Sequence, residues 1–341
     1  MQNSILVAGG AGYIGAHACK ALAMAGFRPV VLDDFSTGHR DFVRWGPSVQ
    51  GDIADAGLVA QTIRRFGCQG VLHFAARSLV GESVTDPAKY YTGNVGATLG
   101  LLAGMRDAGC NRLVFSSTCA VYGQPPEGAI TEATPTAPIN PYGASKLMVE
   151  RILADFRAAY GFNSTILRYF NASGADAEAE IGEKRAEETH LIPRAMMALL
   201  GHIDDFSVMG GDFDTPDGTA IRDYIHVADL ADAHVLALGA LLGGDAGETY
   251  NLGSAQGSSV REVLRNIETA TGRRLSPVSG ARRPGDPARL VADSTLARRR
   301  LGFRTSRSSM QQITASAWKW HRQAHPQRDR ANPPVRPAQS A

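Results

Sequence analysis

The sequence predicts an α/β protein: a doubly wound parallel sheet covered by helices on both faces, with a smaller C-terminal lobe. Three observations carry this. Strand-like and helix-like segments alternate through the first half of the 341 residues. The strand-like runs are continuously apolar, as strands buried on both faces are, and do not alternate apolar with polar. The first of them leads directly into a glycine-rich turn and a helical pattern.

Composition agrees with that class and excludes others. Hydrophobic residues make up 44% and charged residues 20% of the chain, the balance of an ordinary globular protein. The length suits one large domain or two lobes. A net charge of +2 gives no reason to expect nucleic acid or an anionic membrane as partner. No apolar run approaches the roughly 18 residues of a membrane span. The start, MQNSILVAGG, lacks a basic segment and reads as a first strand and not a signal peptide. Cys19, Cys68, Cys110 and Cys119 are scattered without a C-x-x-C pair. That fits a reducing cytoplasm and argues against disulfides or a zinc site, and no metal is expected.

In chain order, residues 4–8 form a strand ending in Gly9-Gly10-Ala11-Gly12-Tyr13-Ile14-Gly15, and the helix after it stops at Gly26. Residues 29–32 are a buried strand ending in Asp33-Asp34. A short strand at Val49 runs into Gly51-Asp52, a helix covers 58–66, and a strand covers 70–74. A helix over 94–108, a strand over 112–116, a helix opened by Pro141 and a strand over 163–168 complete the alternation. Residues 174–188 are polar and read as a solvated loop. Later elements are shorter, at 190–200, 206–209, 227–239 and 249–252. A helix then starts at Ser259 with Glu262 closing a capping box and ends at Gly272. Trp318 and Trp320 read as anchors of a last helix, and the basic, Pro-rich tail from His325 as disordered. The expected division is 1–171 for the first domain, 172–324 for the second lobe with some crossover, and 325–341 for the tail.

Chemistry gathers at the ends of the strands. Gly9, Gly12 and Gly15 allow a tight turn and close approach of a pyrophosphate to a helix N-terminus, as in a Rossmann-type fold. Asp33, ending the next strand, is placed for the adenosine ribose hydroxyls, and its charge disfavours a 2′-phosphate; NAD is favoured over NADP. Asp52 and Ile53 suit an adenine, although a plain strand-end turn has the same residues. His73 reads as structural, and Arg77 as facing phosphate or solvent. Ala75 and Ala76 leave room for a ligand. Ser116, Ser117 and Thr118 put hydroxyls into the same cleft, or form an ordinary Ser/Thr turn.

Tyr142 and Lys146 lie four apart, on one face of a helix. A phenol titrates near 10, and an ammonium beside it favours the phenolate. The pair is therefore a compact acid/base, if a substrate is brought to it.

Together these motifs resemble the extended short-chain dehydrogenase/reductase family and, within it, the UDP-glucose 4-epimerase (UDP-galactose 4-epimerase) family, from the start to about residue 322. The specific strings include His73-Phe-Ala-Ala, Val80-Gly-Glu-Ser, Pro141-Tyr-Gly-Ala-Ser-Lys-Leu-Met-Val-Glu150, Tyr169-Phe-Asn-Ala-Ser-Gly-Ala175, Arg222-Asp-Tyr-Ile-His-Val-Ala-Asp-Leu-Ala231 and Arg282-Arg-Pro-Gly-Asp286. The resemblance implies Tyr142 as catalytic base, Lys146 as its tuner and a ribose ligand, and Thr118 as an aid to proton transfer. Its cofactor contacts fall on Gly9, Gly12, Tyr13, Ile14, Gly15, Asp33, Asp52, Ile53, Phe74, Ala75, Ala76, Asn94, Ser116 and Tyr169, besides Tyr142 and Lys146. Its UDP-sugar contacts fall on Asn171, His190, Leu191, Arg222, Arg283 and Asp286, besides Thr118 and Tyr142. A homodimer is expected from the family alone.

The chain departs from the family pattern at Ala8, usually Thr, and at His190, often Asn. Leu290 borders the sugar pocket where other members have Tyr or a small residue, which leaves acceptance of 2-acetamido sugars open. The implied reaction is interconversion of UDP-glucose and UDP-galactose. Alternatives are a 4-epimerase of another UDP-sugar (UDP-xylose/UDP-arabinose or a UDP-N-acetylhexosamine), a 4,6-dehydratase, whose Asp-Glu pair is here Cys119-Ala120, or a non-catalytic NAD-binding regulator.

Overall fold

The computed structural model describes residues 3–283 and 286–328. The first half runs β1 (Ser4–Ala8), α1 (Tyr13–Met24), β2 (Arg28–Asp33), β3 (Ser48–Gln50), α2 (Ala56–Phe66) and β4 (Cys68–His73). It continues with α3 (Val80–Thr85), α4 (Pro87–Tyr90), α5 (Ala97–Asp107), β5 (Arg112–Thr118), α6 (Pro141–Tyr160) and β6 (Asn163–Tyr169). The second half begins with β7 (Asn171–Ser173), α7 (Leu191–Leu199), β8 (Ser207–Met209), β9 (Ile221–His226), α8 (Val227–Leu242) and β10 (Thr249–Leu252). It ends with β11 (Gly257–Ser259), α9 (Val260–Thr271), β12 (Val278–Gly280), β13 (Arg289–Leu290), α10 (Thr295–Leu301) and α11 (Met310–Ala324).

The main sheet has seven strands in the order β10-β6-β5-β4-β1-β2-β3, and every pairing in it is parallel. The order in which strands are added reverses between β1 and β4. A crevice therefore opens beyond the C-terminal ends of these strands, where open α/β sheets bind ligands. Side chains alternate across the sheet: Ile5 and Val7 enter one core with α1 and α8, and Leu6 and Ala8 the other with α2, α5 and α6. Both faces need apolar residues, which is why the strands read as unbroken apolar runs. The second half of the chain returns to this body, because β10 extends the sheet and α8 packs on α1.

The smaller lobe centres on β9. β11 pairs antiparallel with one edge, and β7 and β13 pair parallel with it. β8 and β12 form a separate short parallel pair, and α7, α9 and α11 close a separate apolar core around Met196, Ile267 and Trp318.

Local signals set several boundaries as expected. The capping box at Ser259 and Glu262 is formed in both directions, and Gly272 ends α9 in the left-handed region. Asn140 caps α6 by accepting the Gly143 N–H at 2.8 Å. Elsewhere the structure differs. The helix expected over 94–108 starts at Ala97, after a wide turn over Tyr91–Gly96, and β4 stops at His73. The polar segment 174–188 is not a solvated loop: Asp176, Ala179, Ile181, Glu183 and Glu188 are buried. Lys20 takes Asp176, Glu178 and Glu180 at 2.7–2.8 Å, and Gly182 lies flat under Trp320. Pairing with distant cations lets these carboxylates leave water. The first tail residues fold back onto α7, with Arg328 N–H on Leu200 O at 3.0 Å and the Pro326 carbonyl on His202. The rest of the expected disordered tail lies outside the described residues. No helix among the described residues is long and apolar enough to cross a membrane.

Candidate active site

The glycine turn has the shape a diphosphate requires. Gly9 holds φ +78°, and a Cβ on it would lie 2.5 Å from Ala75 N; one on Gly15 would lie 2.2 Å from Gly9 O. A Cβ on Gly12 meets only Gly9 O, at 3.4 Å, so its other side is open. No side chain caps the start of α1, which leaves its N–H groups and the positive end of its dipole for an anion. Asp33 is buried at the end of β2. Each carboxylate oxygen takes one backbone N–H at 2.9 Å, from Ala11 and Phe35, and keeps lone pairs for hydroxyl donors. Burial raises its pKa against these two bonds. This arrangement fits a dinucleotide. Asp52 is exposed and accepts Ala54 N–H, and Ile53 packs into the core.

Beyond β4, the N–H groups of Phe74 and Ala75 both bond Ala8 O, which holds the chain beside Gly9. Asn94 fixes the next turn: its amide bonds Arg77 N, Arg77 O and the Ser145 hydroxyl at 2.7–3.0 Å. Its side chain is thus occupied by protein and ties this turn to α6. His73 is structural, bonded to Thr98 at 2.9 Å and pushed down to about 3 by burial, with Lys146 adding to the shift.

Tyr142 meets Thr118 through a close seat of α6 on the end of β5. Gly143 permits it, since a Cβ there would stand 2.6 Å from Ala120 O. The Thr118 hydroxyl accepts Ala120 N–H at 3.1 Å and lies beside the Tyr142 phenol, whose ionised form it favours. Tyr90 stands edge-on to the Tyr142 ring at 6.5 Å. Burial pushes the phenol up to about 12, while Thr118 and the Arg185 guanidinium pull it down.

The Lys146 ammonium has its own buried partners on β5. It donates to Ser116 O at 2.8 Å and lies over the Phe115 ring. Burial lowers it to about 7, with Glu150 pulling the other way. Sharing a helix face fixes where two side chains start, but the lysine tip follows the nearest buried acceptor. Below it, Glu150 bonds Ser117 at 2.5 Å and pairs with Arg168, which also donates to Tyr122. This buried network fastens α6 to β5 and β6. Tyr169 bonds the Ser116 hydroxyl.

In the smaller lobe, Arg222 on β9 pairs with Asp286 and bonds Ile221 O. Cys119 follows Thr118, and burial raises its thiol while the Arg222 guanidinium pulls it back, so this pair and the phenol face the same end of β5. Arg283 is exposed, and its carbonyl accepts Asp286 N–H at 3.2 Å. Asn171 on β7 pairs with Tyr224 on β9. Leu290 pairs with Arg222 across the strands and packs with Tyr122 and Ile130. His190 precedes α7 and Leu191 begins it. His190 Nδ1 lies 2.7 Å from Glu183 Oε1, and that carboxylate raises the imidazole pKa. The anchors expected around Trp318 and Trp320 are present: Trp320 Nε1 donates to Glu183 O at 2.9 Å. His226 is satisfied by Ala228 N–H and Ser316.

Sequence reasoning missed Glu183, Arg185 and Glu188. They form a charged group with His190 close to Tyr13 and Tyr142. Burial alone would raise Glu183, but His190 and Arg185 hold it at about 2. The one local hint was Ile181, an apolar residue inside an otherwise polar stretch.

Comparison with known proteins identifies the family and the fold. The NAD dependent epimerase/dehydratase family matches residues 5–253. A UDP-glucose 4-epimerase of Rhizobium leguminosarum bv. trifolii is 48% identical over 319 residues, 94% of this chain and 97% of that protein. The crystal structure of UDP-glucose 4-epimerase from Brucella ovis in complex with NAD is 50% identical, with a TM-score of 0.91 over 93% of this chain and 98% of its own. The Bifidobacterium longum UDP-glucose 4-epimerase with NAD+ and UDP is 35% identical, with a TM-score of 0.88 over 94% and 98%.

Proposed function

The chain belongs to the NAD dependent epimerase/dehydratase family, and from that premise we propose that it interconverts UDP-glucose and UDP-galactose with Tyr142 as acid/base. The observation that carries this is the close seat of α6 on the end of β5, with Gly143 against Ala120 O, which puts the Tyr142 phenol beside Thr118 at the strand ends that also bear the glycine turn. NAD, when bound, supplies a reversible two-electron acceptor and, in its oxidised form, a positive charge that favours an anionic base.

The residues divide the work. Tyr142 takes the proton from the sugar 4-hydroxyl as C4 is oxidised, and Thr118 holds the same oxygen. The 4-keto sugar turns within the pocket, C4 is reduced on its opposite face, and Tyr142 returns the proton. The oxidation cancels over one turnover, so the cofactor stays bound. The nucleotide end must be gripped while the hexose rotates. Arg222, Arg283 and Asp286 suit the first task, guanidinium forks being matched to phosphate. Asn171, His190 and Leu191 line the remainder of the sugar-nucleotide path. Gly9, Gly12, Tyr13, Ile14, Gly15, Asp33, Asp52, Ile53, Phe74, Ala75, Ala76, Ser116 and Tyr169 hold the dinucleotide, with Asn94 behind them. Lys146 keeps ammonium donors beyond the one given to Ser116 O and offers them to the nicotinamide ribose. On this reading residues 1–171 mainly bind NAD and 172–324 mainly the UDP-sugar. Cys119 and Ala120 offer no carboxyl group for a dehydratase's elimination.

Tyr142→Phe is the test. Turnover of UDP-galactose should fall by at least about a thousandfold, with NAD still bound; undiminished activity would remove Tyr142 from the role.

Two coarser features complete the proposal. The protein works as a homodimer: Val80, Val84, Leu99 and Met148 are exposed apolar residues of α3, α5 and α6, and light scattering should give the mass of two chains. Its compartment is the cytoplasm, which four free thiols, three of them buried, support.

A further inference from the structure

We propose that Arg185 is a cofactor-binding residue, a cation that reaches across the mouth of the cleft and neutralises the diphosphate of the bound dinucleotide. The proposal rests on the NAD-dependent reading above.

The need comes first. A dinucleotide brings one negative charge on each phosphate. Among the residues assigned to the cofactor the one cation is Lys146, and its ammonium is turned to Ser116 O. Asp33 and Asp52 add negative charge. The start of α1 offers roughly half a unit of positive charge. As assigned, the site is short of a cation.

Arg185 is built to supply it. Its Nε donates to Glu183 Oε1 at 2.9 Å. That carboxylate is buried, shared with His190 at 2.7 Å, and its backbone carbonyl is held by Trp320. The anchor fixes one side of the guanidinium, while 28% of the side chain remains exposed. NH1 lies 3.5 Å from Ser78 Oγ, in the turn after β4 that Asn94 fastens through both backbone groups of Arg77. The charge also acts on Tyr13, the first residue of α1, and on Tyr142. One guanidinium thus faces the helix start, the β4 exit and the reacting phenol. Arg77, on the same rim, lays its stem along Gly93, and its charge adds to those of Lys89 and Tyr90 in lowering the Glu82 carboxyl. An arginine fork with one side anchored and one free matches phosphate oxygens with little ordering cost.

The diphosphate of UDP has the same chemistry, and binding experiments separate the two. Wild-type protein, R185Q and R185K are titrated with NADH by fluorescence and with UDP by calorimetry, at low and high salt, with thermal melting alongside. R185Q should weaken NADH binding by about ten- to a hundredfold and lose salt dependence. R185K should recover part of both, and UDP affinity and melting should change little. A fall in UDP affinity with NADH unchanged would overturn the cofactor assignment. So would wild-type affinity for both ligands in R185Q, or a loss of NADH binding matched by a lowered melting temperature and not eased by R185K. Failure of the wild-type protein to bind NADH would instead overturn the family-based reading.

Discussion

Gly143→Ala asks whether the reacting geometry is set by how closely α6 sits on the end of β5. Gly143 lies inside the first turn of α6, so the substitution tests space and not backbone conformation. A Cβ there would be 2.6 Å from Ala120 O, 3.0 Å from Ala120 C and 3.1 Å from Pro138 Cβ. Ordinary carbon-to-carbonyl-oxygen contact is about 3.3 Å, so the helix start must retreat by about 0.7 Å. Ala120 O is a backbone atom and cannot rotate aside. Alanine gains about 1 kcal/mol of helix propensity over glycine, whereas overpacking costs about 1–3 kcal/mol, so a net loss of about 1 kcal/mol is expected. The catalytic effect is larger. A 1 Å misplacement costs about a hundredfold in rate, so kcat should fall by about ten- to a hundredfold. KM should hold, because Arg222 and Asp286 sit on other elements. Initial rates of UDP-galactose conversion, with products separated chromatographically, measure both constants. Wild-type kcat, or a raised KM with kcat intact, would refute the reasoning.

Further outcomes concern binding and pH. Arg222→Ala should raise KM by about ten- to a hundredfold with a smaller change in kcat, since it leaves Asp286 unpaired and removes a contact made equally in ground and transition states; steady-state kinetics decide. Acid should destabilise the fold through its histidines. Burial holds His17, His226, His234 and His321 at about 4 and His73 at about 3. Unfolded, each titrates near 6.5, so below that pH the unfolded chain binds more protons and stability falls as pH falls. Each contributes up to about 1.4 kcal/mol per pH unit between 6.5 and its folded value. Urea midpoints should therefore drop progressively from about pH 6.5 to about pH 5, and a constant midpoint over that range would contradict the burial of these rings.

The fold was largely legible because its signals are local. A strand buried on both faces must be apolar throughout, as β1 is, and a run of such strands separated by helices has one economical arrangement. Gly9 and Gly15 announce backbone contacts that no Cβ survives, and Ser259 with Glu262 announces a helix start. Lys146 shows where local reading stops. Its spacing from Tyr142 is correct, yet its ammonium bonds Ser116, thirty positions earlier, and burial moves the two pKa values in directions the isolated pair would not predict. Arg222 and Asp286 were each assigned to the nucleotide, and only folding shows that they are paired with each other.

What the sequence by itself determined, then, is the class of sheet, the dinucleotide turn with its preference for NAD, and a tyrosine and lysine on one helix. These follow from periodicity, steric permission and residue chemistry within a few neighbouring positions. Tertiary structure decided the height of the Tyr142 pKa, the partner of Lys146, and the inward fold of residues 174–188 that brings Arg185 to the Tyr142 phenol and Glu183 to Tyr13. Desolvation and charge pairing depend on which groups meet across the fold, and Lys20 with Asp176 or Trp320 with Glu183 meet only once the chain has closed.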